Sequence, residues 1–167
     1  MAHGIFISEN CSYTKDGSKI RSALNPVAAL DNGSVVTLSG LVAGEREVWT
    51  AAVGTASTAK ADVWIVNTPE VDYVETPYKT IKDFYNGVND SATKKVPMRV
   101  VKLEKGDIFG LTVEVLSEAP SASKPGIQPA ADGKWTVAAA DAGDFAKYIG
   151  TCVDAATGTT YYSFEAL

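Results

Sequence analysis

Histidine is the side chain best suited to moving protons near neutral pH, and this chain has one, His3. It stands two residues from the start of the sequence, where holding an imidazole within hydrogen-bond reach of a nucleophile is difficult. A Ser-His-Asp or Cys-His centre is therefore not expected. Structural zinc takes four Cys or His ligands at short spacings, and one His with two distant cysteines, Cys11 and Cys152, does not supply them. The cysteines read as two free thiols. Calcium is reachable only through carboxylates: Glu70, Asp72 and Glu75 in PEVDYVE, or Asp141 and Asp144 in DAGDF. Neither cluster has EF-hand spacing, and both read as solvated loops or edges. GxGxxG and GxxxxGK[ST] are both missing, so no phosphate cradle is expected. Among 20 acidic residues no two stand out as a glycosidase pair. The expectation is a non-enzymatic protein with no catalytic residue, no cofactor and no metal.

The residues suited to contact are more informative. Trp49, Trp64, Tyr73, Tyr78, Phe84 and Tyr85 fall in one central section, enough for a core cluster or a contact patch. Trp64 and Phe84 sit in apolar periodic runs and read as core. Trp49 follows Glu45-Arg46-Glu47 and reads as a semi-exposed anchor. In the segment Met1 to Asn10, Ile5, Phe6 and Ile7 form a short apolar run that can add a strand to an exposed edge, which makes it a candidate contact arm.

The elements that would position these residues are short Val/Ile/Thr/aromatic runs separated by Gly-containing turns, the pattern of an antiparallel β-barrel or sandwich. Gly33 to Leu41 and Asp62 to Asn67 read as strands. Val96 to Leu103 and Asp107 to Leu116 flank Glu104-Lys105-Gly106 and read as a hairpin. In its second arm Ile108, Leu111, Val113 and Val115 would face inward, with a bulge near Gly110 and Thr112 and Glu114 toward water. Lys134 to Val137, Ala146 to Val153 and Thr159 to Phe164 follow, the last two as a second hairpin. One short helix is expected at about 78–86, where Ile81, Phe84 and Tyr85 make an apolar stripe, and a helical turn is conceivable at Ser22 to Leu30. The prolines, serines and alanines of 117–131 read as a linker or loop. It separates a main β-rich domain, 1–116, from a small C-terminal β lobe, 132–167, that packs into the main domain or stands beside it.

At 167 residues the chain fits one domain or one with a small lobe. Of its hydrophobic residues 23 are Ala, which bury little area, so the core is modest. A net charge of −5 argues against nucleic acid, and no run approaches the ~20 apolar residues that cross a bilayer. No signal-peptide pattern is present, which points to synthesis in a cytoplasm.

Three segments, GIFISEN (Gly4 to Asn10), DNGSVVTLSGLVAGEREVWTA (Asp31 to Ala51) and KGDIFGLTVEVL (Lys105 to Leu116), resemble the small decoration, or cement, proteins of tailed phages that infect Gram-positive hosts. FYN at Phe84 to Asn86 and TTYYSFEAL at Thr159 to Leu167 are also similar. The resemblance covers about half the chain and rests on strand and turn patterns, not on a chemical motif. It implies a β-rich virion protein, made in the host cytoplasm, that binds the major capsid protein of the assembled shell and self-associates as a homo-oligomer. Two other readings compete: a tail-tube or baseplate component, and a carbohydrate-binding β-sandwich module.

Overall fold

The structure is a computed structural model and describes residues 3–25, 27, 29–68, 96–155 and 158–167. It is mainly β. Eleven strands are described: β1 (Phe6–Asn10), β2 (Ile20–Leu24), β3 (Val35–Leu41), β4 (Val48–Val53), β5 (Trp64–Val66), β6 (Met98–Val101), β7 (Ile108–Leu111), β8 (Gly126–Pro129), β9 (Trp135–Ala138), β10 (Ala146–Val153) and β11 (Thr160–Ala166). They form a closed five-stranded barrel, β2-β4-β3-β5-β6, and an open six-stranded sheet, β1-β7-β11-β10-β8-β9. The sheet is antiparallel throughout, whereas the barrel contains one parallel pair, β2 with β4. The expected helix at 78–86, with Phe84, Tyr85 and the acidic cluster 70–75, lies outside the described residues.

Strand side chains alternate between faces, and in the barrel this alternation splits neighbouring residues between two cores. Val36, Val66 and Val100 join Ala23, Ala51 and Met98 in the barrel interior. Their neighbours Val35, Ile65 and Val101 point the other way, into a larger core shared with Phe6, Phe109, Leu111, Ile127, Trp135, Phe145 and Phe164 of the sheet side. A five-stranded barrel is narrow, which is why its interior is mostly Ala and Val, with Leu30 and Met98 as the larger buried residues. The shared core is aromatic: Phe109 stacks on Phe6 and Phe164 at 5.7 and 5.8 Å, and Trp135 lies 5.1 Å from Phe145.

Several polar contacts fasten the two sheets. Trp135 is fully buried and its Nε1–H donates to the Gly33 carbonyl at 2.8 Å. Gly33 in turn donates its N–H to Val66 of β5 (2.8 Å). Asp107, buried where the chain passes from barrel to sheet, accepts from Ser12 N–H, Ser12 Oγ and Glu104 N–H at 2.8–2.9 Å. Lys60 Nζ reaches the Asp144 carbonyl at 3.0 Å.

Four sequence expectations change. The turn Glu104-Lys105-Gly106 exists, with Gly106 at φ +89°, but β6 and β7 do not pair: the turn carries the chain out of the barrel into the sheet. Strand β7 ends at Leu111, and Phe109 and Leu111, not Ile108, are its fully buried residues. Thr112 is buried because its hydroxyl accepts from Ile5 N–H (3.1 Å), and Val113, on a 3-10 turn, is exposed; the bulge sits opposite, on β1 between Ser8 and Asn10. Ser22 to Leu24 belong to β2 and are not helical, since both edges of β2 are taken, by β4 and β6. The expected linker 117–131 contains β8, and the 132–167 segment supplies β9, β10 and β11 to the sheet that also holds β1 and β7.

Candidate functional site

The proposed N-terminal arm is built into the fold. Asp31 accepts from Gly4 N–H at 3.0 Å and stands 2.9 Å from His3 Nδ1, and β1 pairs with β7 in the register Phe6↔Leu111. The Phe6 side chain is buried in the shared core, and Ile5 and Ile7 are half-buried. The outward residues of this segment are Ser8, Glu9 and Asn10. Among the described residues β1 is a terminal strand of its sheet, so what it offers a partner is a backbone edge. Glu9 is anchored from the neighbouring face by Ser163 Oγ, which donates at 2.6 Å across Gly110.

Behind β1 lies a small polar crevice around Cys11 and Lys19. Burial, followed by the nearby Asp107 carboxylate, pushes the Cys11 thiol from 9.0 up to about 12; its Sγ–H donates to the Ile108 carbonyl at 3.1 Å. A thiol so held is a packing group and not a nucleophile. Tyr13, pushed up from 10.0 to about 12 chiefly by burial, accepts from Asn67 Nδ2 at 2.8 Å and bonds Ser8. The Lys19 ammonium is stabilised by its bond to Glu104 at 2.6 Å, with Asp16 at 3.6 Å. Cys152 is exposed on β10 and is not bonded to Cys11.

Trp49 is placed differently. β4 directs it to the same face as Ala51 and Val53, the interior face of the barrel, at the end where the barrel opens. Arg21 of β2 lies on that face too, since it stands opposite Val100. Its guanidinium carbon is 6.0 Å from the Trp49 ring centre and 5.8 Å from that of Trp64, and Nη1 donates to the carbonyls of Ser18 and Ile20 at 2.5 and 3.0 Å. Lys102 Nζ lies 5.7 Å from the Trp64 ring. Cation–π attraction at these distances is favourable, and the guanidinium also stoppers the barrel without leaving a charge unpartnered. Above it opens a cleft of ≈450 Å³ lined by Arg21, Ser22, Leu41, Arg46, Glu47 and Trp49, with Ile20 beside them.

Sequence reading found Trp49 and its half-exposed state but missed Arg21, which lies 28 positions away and carries no local motif. Trp135 was missed as well, because a tryptophan beside Gly-Lys in a short run has no signature that distinguishes an anchor from ordinary core. Asp144 accepts from Asp141 N–H at 2.8 Å and Gln128 Nε2 at 2.9 Å, and among the described residues no three His, Cys, Asp or Glu side chains converge. No helix among the described residues is long and apolar enough to cross a membrane. The chain matches no protein-family model, no curated protein and no solved structure.

Proposed function

We propose that the protein is a structural virion component, a decoration protein that binds the outer surface of an assembled tailed-phage capsid and stabilises it. The observation that carries this reading is the way the similar segments assemble. Gly4 to Asn10 forms β1, Lys105 to Leu116 holds β7, Thr159 to Leu167 holds β11, and these three strands are neighbours in the order β1-β7-β11. Asp31 and Gly33, from the remaining long segment, tie His3, Gly4 and Trp135 to the same unit. The rest of that long segment forms β3 and β4 of the barrel, so the similar segments contribute strands to both sheets.

A β-sheet with an accessible edge, repeated over a lattice, suits linkage. A protein that binds only the assembled shell stabilises it by mass action, and many copies multiply modest contacts. The test is co-sedimentation with the mature capsids of the phage that encodes the chain. Saturable binding to shells, none to dispersed capsid subunits, and a higher disruption temperature of decorated particles are expected. Rings or tubes formed by the purified protein in electron micrographs, without capsid binding, would overturn the reading in favour of a tail component.

A further inference from the structure

We infer that the open end of the barrel is a carbohydrate-binding site that takes a pyranose ring. This goes beyond capsid binding and does not depend on it. The floor is Trp49, an indole half-exposed in a cleft of ≈450 Å³, within the range of small-ligand sites. The Arg21 guanidinium is fixed beside it by two aromatic rings and two backbone carbonyls, so it does not swing out to neutralise the rim.

The rim is supplied by the β3–β4 hairpin. Its turn is set by Val42 N–H donating to Val48 O (2.8 Å), Glu45 N–H donating to Val42 O (3.0 Å) and Gly44 at φ +84°, a conformation glycine adopts without strain. The turn places Arg46 and Glu47 over the cleft, and neither makes a hydrogen bond or ion pair among the described residues. Ser22 of β2 also lines the cleft.

The class of ligand follows from this mixture. A purely apolar guest would strip water from Arg46 and Glu47 without replacing it. A phosphate or carboxylate would find Arg46 but also the Glu47 carboxylate beside it, which would be left facing the anion. A pyranose has an apolar C–H face for the indole and hydroxyls that both donate and accept, which matches a donor (Arg46) and an acceptor (Glu47) beside one aromatic platform.

The experiment is tryptophan fluorescence and NMR titration of the full chain with methyl glycosides of glucose, galactose and N-acetylglucosamine, alongside an oligosaccharide array and a glutamate-rich peptide. At least one glycoside or its oligomer is expected to bind saturably. Glu47→Gln and Arg46→Ala, both on the exposed rim, are expected to weaken it about tenfold or more, the loss of a hydrogen bond to a charged group, without moving Tm. Trp49→Ala should abolish binding; because it could also loosen the barrel, the two rim variants are the decisive ones. Absence of binding to any glycan, binding unchanged by both rim variants, or preference for the acidic peptide would each overturn the proposal.

Discussion

The barrel and the sheet solve the same problem by opposite means. Among the described residues the barrel closes on itself, leaves no strand edge, and fills its narrow interior mainly with Ala and Val beside Leu30 and Met98. The sheet keeps two terminal strands, β1 and β9, and gains its stability from large aromatic side chains pressed against the barrel wall. Closure satisfies backbone groups at little cost in side-chain volume, while an open sheet depends on what covers its face. A consequence is that the barrel end is spare surface, open to hold Arg21 and its two tryptophans, whereas every large ring of the shared core is already committed to packing.

The comparison breaks most sharply at Trp135, which belongs to the sheet and bonds to a carbonyl at the barrel entrance. Trp135→Ala should cost about 3–5 kcal/mol through the cavity alone. If the two cores are coupled through this ring, urea unfolding followed separately by near-UV CD and by fluorescence of the remaining tryptophans will lose its single transition. Coincident midpoints in the variant would show that the cores are coupled elsewhere.

Asp107→Asn tests the passage between the two regions. Its carboxylate receives three donors from Ser12 and Glu104. The amide keeps the shape but replaces one acceptor by a donor, so a loss of about 1.5–3 kcal/mol is expected, readable as a shift in the urea midpoint.

Gly54→Ala probes how rigid the barrel wall is. A Cβ there would stand 2.5 Å from Val35 Cγ1 and 3.0 Å from the Val35 carbonyl. Overpacking of this kind costs about 1–3 kcal/mol. A thermal midpoint equal to that of the parent would mean that the barrel yields more readily than its closed geometry suggests.

The gentlest probe is alkaline pH, which should act on the sheet side. Cys11 and Tyr13 are both held protonated by burial, with values near 12 against 9.0 and 10.0 for the exposed groups, and burial raises Tyr161 also. The unfolded chain releases these protons first. The stability they confer is thus intact below about pH 9 and is lost as pH climbs toward about 12. Urea midpoints measured across that window should fall, and less steeply in Cys11→Ala. A thiol reagent should meanwhile modify Cys152 in the native protein and reach Cys11 only on unfolding.

How much of this was legible beforehand depended on whether the information was local. Strands β3, β5, β6, β9, β10 and β11 were legible because β-branched runs bounded by Gly and Asn turns carry their own signal, and the β10–β11 hairpin followed from its loop. Strand β8 was hidden by Pro125 and Pro129, residues that look like linker until β10 and β9 are seen flanking the strand. The Glu104-Lys105-Gly106 turn misled for a related reason: a turn fixes a reversal of direction, but whether its arms pair is decided by competition, and β7 finds β1 and β11 instead. At the candidate site Trp49 showed itself through charged neighbours. Arg21 did not, since its role comes only from the cross-strand register that sets it against Trp49 and Trp64.

That β7 lies between β1 and β11 also separates the two regions by the sequence distance their pairings span. Phe6 and its partner Leu111 are more than a hundred residues apart in sequence, and β7's other neighbour, β11, lies about fifty residues beyond it. All five barrel strands lie before Lys102, whereas β7, second in the sheet order, has both neighbours only when β11 is in place. Contacts of such long separation are slow to close. Until β11 pairs, β7 keeps one edge open and Phe109 lacks the Phe164 ring, whereas every barrel strand has its neighbours without β11.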